Sequence, residues 1–254
     1  LGRKVNPLIV TVLAFLIMLC IGPLVAIPRT AAATYEIGIK PLLPGFNNIL
    51  FSVIFFSIVI FLSMSQSKIV DIIGNFLTPL LMLSLGILVV MGIMNPPDIS
   101  KITGISTQES FVFAFHEGYQ TLDVLASVIF AGIIISAAID KGYTNSTDRF
   151  KITIAAGLIS MIALLFIYGG LIYLGAHSGY PLSENVSRTD LLLHISNNVL
   201  GKNGTLVISI AVALACLTTA IALTSAMGSF LKKLTYGKIT YNVGVVLTCL
   251  ISGY

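Results

Sequence analysis

Long apolar segments without charged residues constrain this 254-residue chain more than any other feature of its sequence. A helix that crosses a bilayer needs about 20 mainly apolar residues, whereas a strand of a membrane barrel needs about ten residues of alternating hydrophobicity. The apolar segments here are long and continuous, which favours helices. We expect six full spans plus part of a seventh, at Leu8–Ile27, Asn48–Met64, Phe76–Met94, Phe111–Ile139, Ile152–Ala176, Thr205–Leu231 and Tyr241–Tyr254.

The composition supports an all-α integral membrane fold class. Hydrophobic residues make up 56% of the chain and charged residues only 9%, whereas a soluble domain carries about 25% charged residues. So few charges cannot cover a water-facing surface, and the lipid bilayer is therefore the expected partner. The net charge is +4, but no basic stripe with interleaved aromatic residues indicates nucleic acid.

The distribution of positive charges predicts the orientation of the chain. Cytoplasmic loops of membrane proteins carry an excess of Lys and Arg. If Leu1–Pro7 is cytoplasmic and the sides alternate, nine Lys and Arg residues fall on the cytoplasmic side and five on the other. The nine are Arg3, Lys4, Lys68, Lys141, Arg149, Lys151, Lys232, Lys233 and Lys238, and the five are Arg29, Lys40, Lys101, Arg188 and Lys202. We therefore expect a multi-pass protein of the cell membrane with Leu1–Pro7 in the cytoplasm.

The fourth span contains carboxylates, which are expensive at membrane depth. A charged side chain at mid-bilayer costs roughly 2.5–3.5 kcal/mol on insertion scales. Residues 115–123 read FHEGYQTLD and include Glu117 and Asp123. Gly118 is a poor helix residue, so we predict a helix broken there, with free backbone groups that line a cavity of the kind transporters use for substrates and ions. In the alternative, both carboxylates lie near the membrane surface and the span begins only at Leu122.

The sixth span carries hydroxyl groups among small residues. Residues 216–226 read CLTTAIALTSA. Hydroxyls and small side chains pack membrane helices against each other, and that role alone explains most Thr and Ser in such spans. The adjacent Thr218 and Thr219 are also suitable oxygen donors for a small hard cation, whose other ligands would have to come from another helix.

Two further segments have local signals. Pro23 lies inside the first span and should kink or end it, and we expect Pro28 and Arg29 to mark the exit to water. The segment His177–Asn203 carries apolar residues at helical spacing over Thr189–Leu200, with Thr189 as a possible N-cap. It predicts a short amphipathic helix over the outer mouth, either as a gate or as plain surface packing.

Motifs of other protein classes are absent from the sequence. There is no phosphate-binding G-x-x-x-x-G-K-[ST], no zinc-binding H-E-x-x-H and no G-x-S-x-G nucleophile. The three cysteines, Cys20, Cys216 and Cys249, have no C-x-x-C spacing. We therefore expect no enzyme, no cofactor, no metal other than a coupling cation, and no ATPase subunit.

Three separated stretches resemble signatures of the bacterial branched-chain amino acid carrier family, the cation symporters for leucine, isoleucine and valine. They are GPLVAIPRTAAATYEIG at 22–38, FHEGYQTLDVLAS at 115–127 and ACLTTAIALTSA at 215–226, and SKIVDIIGNFLTPLLMLSLGILV at 67–89 is also similar. The resemblance covers essentially the whole chain. It implies membership of the amino acid–polyamine–cation superfamily and a leucine-transporter-like inverted-repeat fold, with the substrate near mid-membrane.

The resemblance also assigns places and roles to residues. It implies that the chain is a single, incomplete transmembrane domain over 1–254, an internal fragment from the third to the ninth helix of the family, which would not transport alone. Phe111–Ile139 would be the broken sixth helix and Thr205–Leu231 the eighth. The implied roles are substrate binding by Glu117, Gly118, Tyr119 and Gln120, cation binding by Thr218, Thr219 and, less strongly, Ser225, and proton coupling or gating by Glu117 or Asp123.

The expected function is secondary active symport of branched-chain amino acids into a bacterial cell, coupled to Na⁺ or H⁺. The alternative is a channel, or another helical membrane protein without transport coupling. No repeat that resembles a selectivity filter is visible in the sequence, although channels generally need one.

Overall fold

The structure, a computed structural model, describes residues 7–64, 71, 73–95, 106–121, 123–178 and 188–253. These residues form helices joined by turns, which confirms the all-α class. The helices are α1 Pro7–Leu19, α2 Ala26–Ala33, α3 Asn48–Ser63, α4 Thr78–Met94, α5 Thr107–Tyr119, α6 Asp123–Asp140, α7 Ser146–Ala176, α8 Arg188–Leu200, α9 Gly204–Leu234 and α10 Tyr241–Ser252. Wider π-helical turns occupy Cys20–Leu24, Thr34–Ile39 and Ile73–Leu77, and a 3₁₀ turn occupies Gly201–Asn203.

Four helical segments in the described ranges are long and apolar enough to cross a membrane. They are Thr11–Ile39, Ile73–Met94, Ser146–Ala176 and Gly204–Leu234. The shortest has 22 residues and extends about 33 Å at 1.5 Å per residue, which exceeds a hydrocarbon core of about 30 Å. The last three agree with the third, fifth and sixth predicted spans to within a few residues, so those predictions are confirmed.

The expected six full spans are only partly reproduced in the part of the chain that the structure describes. The helices α3 and α10 are apolar but have 16 and 12 residues, so that α3 extends only about 24 Å. The predicted fourth span is divided between α5 and α6. The structure therefore supports about four long spans together with shorter apolar helices.

The first span differs from its prediction at one end. A kink occurs at Gly22, whose φ of −84° and ψ of −114° are not helical, and this agrees with the kink expected from Pro23. The helical path then continues to Ile39, so Pro28 and Arg29 do not end the helix, while their place at the exit to water stays a prediction. Since α2 begins at Ala26, Pro28 lies in its first turn, where the missing N–H needs no intrahelical partner.

One compact unit contains Leu1–Pro79 and Val212–Tyr254. Its core combines side chains of α9, α10 and the turn before α4: Leu77, Ile221, Tyr241 and Val245, with Leu62, Ile73, Leu214 and Leu217 packed around them. Aromatic rings extend this packing, since Tyr35 and Phe51 have ring centroids 5.5 Å apart and Phe51 and Phe55 5.7 Å apart.

The other compact unit contains Leu80–Ala211. In it, α4 and α7 approach closely at glycines. A Cβ on Gly170 would lie 2.7 Å from Cγ2 of the buried Val89, and a Cβ on Gly92 would lie 3.0 Å from Cδ1 of the buried Leu174. Small residues at such crossings let membrane helices pack backbone to side chain.

The amphipathic helix predicted over Thr189–Leu200 is confirmed by α8. Its inner side buries Ile195, Ser196 and Val199. Thr189 lies inside the first turn and is not the N-cap, because α8 already includes Arg188. The helix is thus packed on its own unit, while a gating role stays a prediction.

Candidate functional site

The stretch expected to be a broken helix contains a real interruption. The helix α5 begins with a capping box between Ser106 and Glu109 and ends at Tyr119, and α6 begins at Asp123. Gly118 lies inside α5. The break therefore falls just after the glycine and not at it.

Backbone and hydroxyl bonds explain why α5 ends there. The Gln120 N–H still donates to the His116 carbonyl at 3.1 Å, whereas the Thr121 N–H turns back to the Gly118 carbonyl at 3.3 Å. The Thr121 hydroxyl donates to that same carbonyl at 2.8 Å. A local side-chain bond of this kind offers the backbone an alternative to continuing the helix.

The side chains at the break form one pair and leave open space beside it. Gln120 Nε2 donates to Glu117 Oε1 at 3.2 Å, and both side chains are partly buried. Tyr119 is 67% exposed. A Cβ on Gly118 would meet no atom within 4 Å in the described parts of the chain. The backbone at Gly118 is therefore open to close approach.

Asp123 occupies the first turn of α6. An acidic residue there is stabilised by the partial positive charge of a helix N-terminus. Its side chain is exposed and interacts electrostatically with Tyr168 of α7. The two carboxylates of this stretch thus lie on opposite sides of the break.

The paired threonines of α9 direct their protons into their own helix. Thr218 and Thr219 both donate to the Ala215 carbonyl, at 2.8 and 2.9 Å. A hydroxyl that donates in this way keeps its oxygen lone pairs for another partner. Thr218 is partly buried and Thr219 is exposed, so both oxygens remain suitable donors for a cation.

Ser225 has different surroundings. Its Oγ is buried and lies 2.9 Å from the Tyr241 hydroxyl, which is itself 2.7 Å from the Ser63 carbonyl. The phenol has one proton and the carbonyl can only accept, so both contacts are satisfied when Ser225 donates to the Tyr241 oxygen. Ser225 is thus part of a core hydrogen-bond cluster that sequence reasoning missed, because Tyr241 comes from another helix.

The two groups of predicted site residues belong to different compact units. Glu117, Tyr119, Gln120 and Asp123 lie in the unit Leu80–Ala211, and the hydroxyls of α9 lie in the other. Within the described ranges no group of three or more His, Cys, Asp or Glu side chains could hold a metal ion.

Comparison with known proteins places the chain in a family. The family model described as branched-chain amino acid transport protein matches residues 1–254. The chain belongs to this family. The resemblance seen in the three signature stretches is thereby confirmed, and the branched-chain amino acid transport proteins are transporters and not enzymes.

Individual relatives match over nearly all of this chain. It is 34% identical over 257 residues to the branched-chain amino acid permease BraB of Bacillus subtilis (strain 168), covering 99% of this chain and 58% of the permease. It is 33% identical over 256 residues to the permease BrnQ of the same bacterium, covering 98% and 58%. The chain thus spans less than two thirds of these multi-pass relatives. No solved structure matches it significantly.

Two signature stretches of the branched-chain amino acid transport protein family meet within one unit. The side chains of Thr34, in the first signature, and Cys216, in the last, lie close enough to interact. The Thr34 hydroxyl itself donates to the Thr30 carbonyl at 2.8 Å. The family's first signature therefore packs against the helix that carries Thr218 and Thr219.

Proposed function

We propose that this chain acts in a secondary active transporter, which carries leucine, isoleucine and valine into a bacterial cell together with Na⁺ or H⁺. The observation that carries the proposal is the break between α5 and α6, which interrupts an apolar stretch with polar side chains in a member of this family. A broken helix at membrane depth is tolerated only where it lines a cavity or a protein interior. A substrate pathway meets that requirement.

The break offers complementary ends to a zwitterionic amino acid. The C-terminal end of α5 carries partial negative charge on its carbonyls, and the N-terminal end of α6 carries partial positive charge on its N–H groups. The ammonium group of the substrate would meet the carbonyls and Glu117, and its carboxylate would meet the N–H groups. The open backbone at Gly118 allows close approach, with Tyr119 and Gln120 at the same place.

The hydroxyls of α9 supply oxygen ligands for a coupling cation. Thr218 and Thr219 keep lone pairs available, whereas the buried Ser225 is engaged with Tyr241. Hard cations prefer such oxygen donors. If cation and substrate favour the same conformation, each raises the affinity for the other by the same factor. Proton coupling through Glu117 or Asp123 is the alternative to Na⁺.

The same proposal includes the fold and the orientation. An inverted-repeat fold of the leucine-transporter type would make α5 and α6 its broken sixth helix and α9 its eighth. The excess of Lys and Arg places the loops after α6 and α9 in the cytoplasm. The protein would lie in the bacterial cell membrane.

The test is uptake of labelled isoleucine into proteoliposomes that contain the natural gene product, with and without an inward Na⁺ gradient. We expect saturable accumulation against the isoleucine gradient, abolished when the ion gradient is collapsed. Passive equilibration without accumulation would support a channel instead. Failure of both Na⁺ and H⁺ gradients to drive any branched-chain substrate would contradict the proposal.

A matched pair of glycine variants tests the site within that assay. Gly118→Ala and Gly132→Ala each add a methyl group where no described atom lies within 4 Å. Both variants should fold, because neither methyl group meets an atom of the described structure. We expect only Gly118→Ala to raise the KM for isoleucine. Equal kinetics for the two variants would remove Gly118 from the substrate site.

A further inference from the structure

The turn between α9 and α10 concentrates positive charge in a part of the sequence that has no acidic residue. Residues 231–240, here named the basic turn, read LKKLTYGKIT and contain Lys232, Lys233 and Lys238. No Asp or Glu occurs anywhere in the sequence after Asp190. All three lysines are exposed. Lys232 and Lys233 lie in the last turn of α9, where the helix dipole favours cations.

Hydrogen bonds hold the backbone of the basic turn in one conformation. The Gly237 N–H donates to the Lys232 carbonyl at 2.9 Å, which closes the end of α9. The Thr235 hydroxyl donates to the Leu231 carbonyl at 2.8 Å and accepts from the Ile239 N–H at 3.1 Å. The backbone positions from which the lysines and Tyr236 extend are therefore fixed relative to one another.

Tyr236 is presented outward from this turn at a conformational cost. Its φ is 52°, the one left-handed φ found among the described non-glycine residues, and its side chain is 97% exposed. A bulky residue in this region is strained. No contact of the ring with the described parts of the chain compensates for that strain. An interaction of the Tyr236 ring with a group outside the chain would offset the cost of this backbone conformation.

The position of the basic turn identifies its partner. The helix α9 belongs to the membrane-spanning segment Gly204–Leu234, so Tyr236 follows the end of a span by two residues and lies at the membrane surface. Tyrosine rings are favoured at the headgroup level of bilayers. Lysine clusters beside a span attract anionic lipids.

We propose that the basic turn binds the headgroups of anionic phospholipids in the adjoining leaflet. Lys232, Lys233 and Lys238 contact the phosphate groups, and the Tyr236 ring inserts between the headgroup and the start of the acyl chains. The proposal rests on membrane insertion of α9 and not on transport, so it stands or falls separately from the proposed function. The binding of the basic turn to the membrane then depends on the lipid composition of the leaflet.

The test uses the absence of tryptophan from the sequence. Tyr236→Trp places a single fluorescent reporter at the tip of the turn and keeps an aromatic ring there. The natural gene product, with any tryptophan outside these 254 residues replaced by phenylalanine, is reconstituted in vesicles of equal parts phosphatidylcholine and phosphatidylglycerol, with bromine quenchers on the acyl chains of one lipid or of the other. Ile172→Trp is the matched control, because Ile172 is exposed on α7 without lysines beside it.

We expect the Tyr236→Trp reporter to be quenched more strongly by the brominated phosphatidylglycerol than by the brominated phosphatidylcholine, with a local phosphatidylglycerol concentration up to about two-fold above that of random mixing in an equal mixture. The preference should disappear in the Lys232→Gln, Lys233→Gln, Lys238→Gln background and decline at high salt. The Ile172→Trp reporter should be quenched equally by both lipids. Equal quenching of the Tyr236→Trp reporter, or a preference that survives removal of the three lysines, would overturn the proposal.

Discussion

Gly169 and Gly170 are neighbours in α7 but have different surroundings. A Cβ on Gly170 would overlap Cγ1 of the buried, β-branched Val89, whereas a Cβ on Gly169 would meet nothing within 4 Å in the described structure. Overpacking costs about 1–3 kcal/mol, while alanine is better than glycine in a helix by roughly 0.5–1 kcal/mol. We therefore expect Gly170→Ala to destabilise the protein and Gly169→Ala to be neutral or stabilising.

Titration with sodium dodecyl sulfate, followed by circular dichroism, measures this difference in the free energy of unfolding. Since the two variants make the same substitution at adjacent residues of one helix, the change in helix propensity and the position along the helix are nearly matched. Equal stabilities would mean that α4 and α7 do not pack through Gly170.

The hydrogen-bond cluster at Tyr241 predicts an asymmetry between two conservative substitutions. Tyr241→Phe leaves the Ser63 carbonyl and the Ser225 hydroxyl without this partner, which costs about 1–3 kcal/mol for buried groups. Ser63→Ala removes an Oγ that is fully buried and has no hydrogen-bond partner in the described structure. We expect it to be neutral or stabilising. A larger loss of unfolding free energy in Ser63→Ala than in Tyr241→Phe would contradict this account of the cluster.

The hydroxyls of α9 show what the sequence could not predict at the residue scale. Thr219 and Ser225 both offer a hydroxyl oxygen within one apolar segment. The family resemblance favoured Thr219 over Ser225 as a cation ligand, but it did not show what surrounds either side chain. Which of them is engaged depends on Tyr241, which a different helix supplies. The hydroxyl of Tyr241, at the start of an apolar segment, indicated that this residue needs a hydrogen-bond partner. The spacing of residues in the sequence did not show that the partner is Ser225.

The corner between α8 and α9 is held by side chains of α8. Asn197 Oδ1 accepts from the Thr205 N–H at 3.0 Å and from the Thr205 hydroxyl at 2.9 Å, and so caps the first turn of α9. Loss of a helix cap costs about 0.5–2 kcal/mol. We expect Asn197→Ala to speed amide hydrogen exchange in the first turn of α9.

Asn198→Ala is the control for this capping prediction. Asn198 is the next residue, and its Nδ2 lies 2.8 Å from His194 Nε2 on the exposed side of the same helix, a pairing worth only about 0.2–0.5 kcal/mol. Exchange in α9 should therefore stay unchanged. If both substitutions speed it equally, α8 does not cap α9 through Asn197.

Helices could be predicted from the sequence where a single strong pattern determined them. The helices α7 and α9 follow from long apolar segments, which only a span explains. The first helical path runs beyond the predicted Ile27, because Pro28 falls in the first turn of α2, where a helix tolerates proline. The break after α5 was expected at Gly118, but the helix tolerates that glycine and ends where Thr121 bonds the Gly118 carbonyl.

The orientation that we propose for the whole molecule, from its lysines and arginines, can be tested by labelling. On a background with Cys20, Cys216 and Cys249 replaced by alanine, the variants are Tyr143→Cys in the loop after α6 and Asn198→Cys on α8, both at exposed positions. We expect an impermeant maleimide added to intact cells to label only Asn198→Cys, with Tyr143→Cys labelled after permeabilisation. The opposite pattern would reverse the topology.

The arrangement of the molecule as a whole was the least predictable level. Apolar segments predict which residues cross a membrane, but no apolar pattern tells which spans meet. Contacts such as Thr34 with Cys216, or Gly170 with Val89, depend on side-chain shape and on single hydrogen bonds. The motifs identify the family, and the inverted-repeat arrangement rests on that resemblance.

Equilibrium binding of labelled isoleucine to the natural gene product, as a function of Na⁺ concentration, tests the claim of coupling most directly. We expect the Kd for isoleucine to fall as Na⁺ rises, typically by 5- to 150-fold for a coupling free energy of about 1–3 kcal/mol, and we expect Thr219→Ala to flatten that dependence. A Kd that does not change with Na⁺ in the unaltered protein would contradict the cation site at Thr218 and Thr219. If that Kd then changed with pH instead, the coupling ion would be a proton.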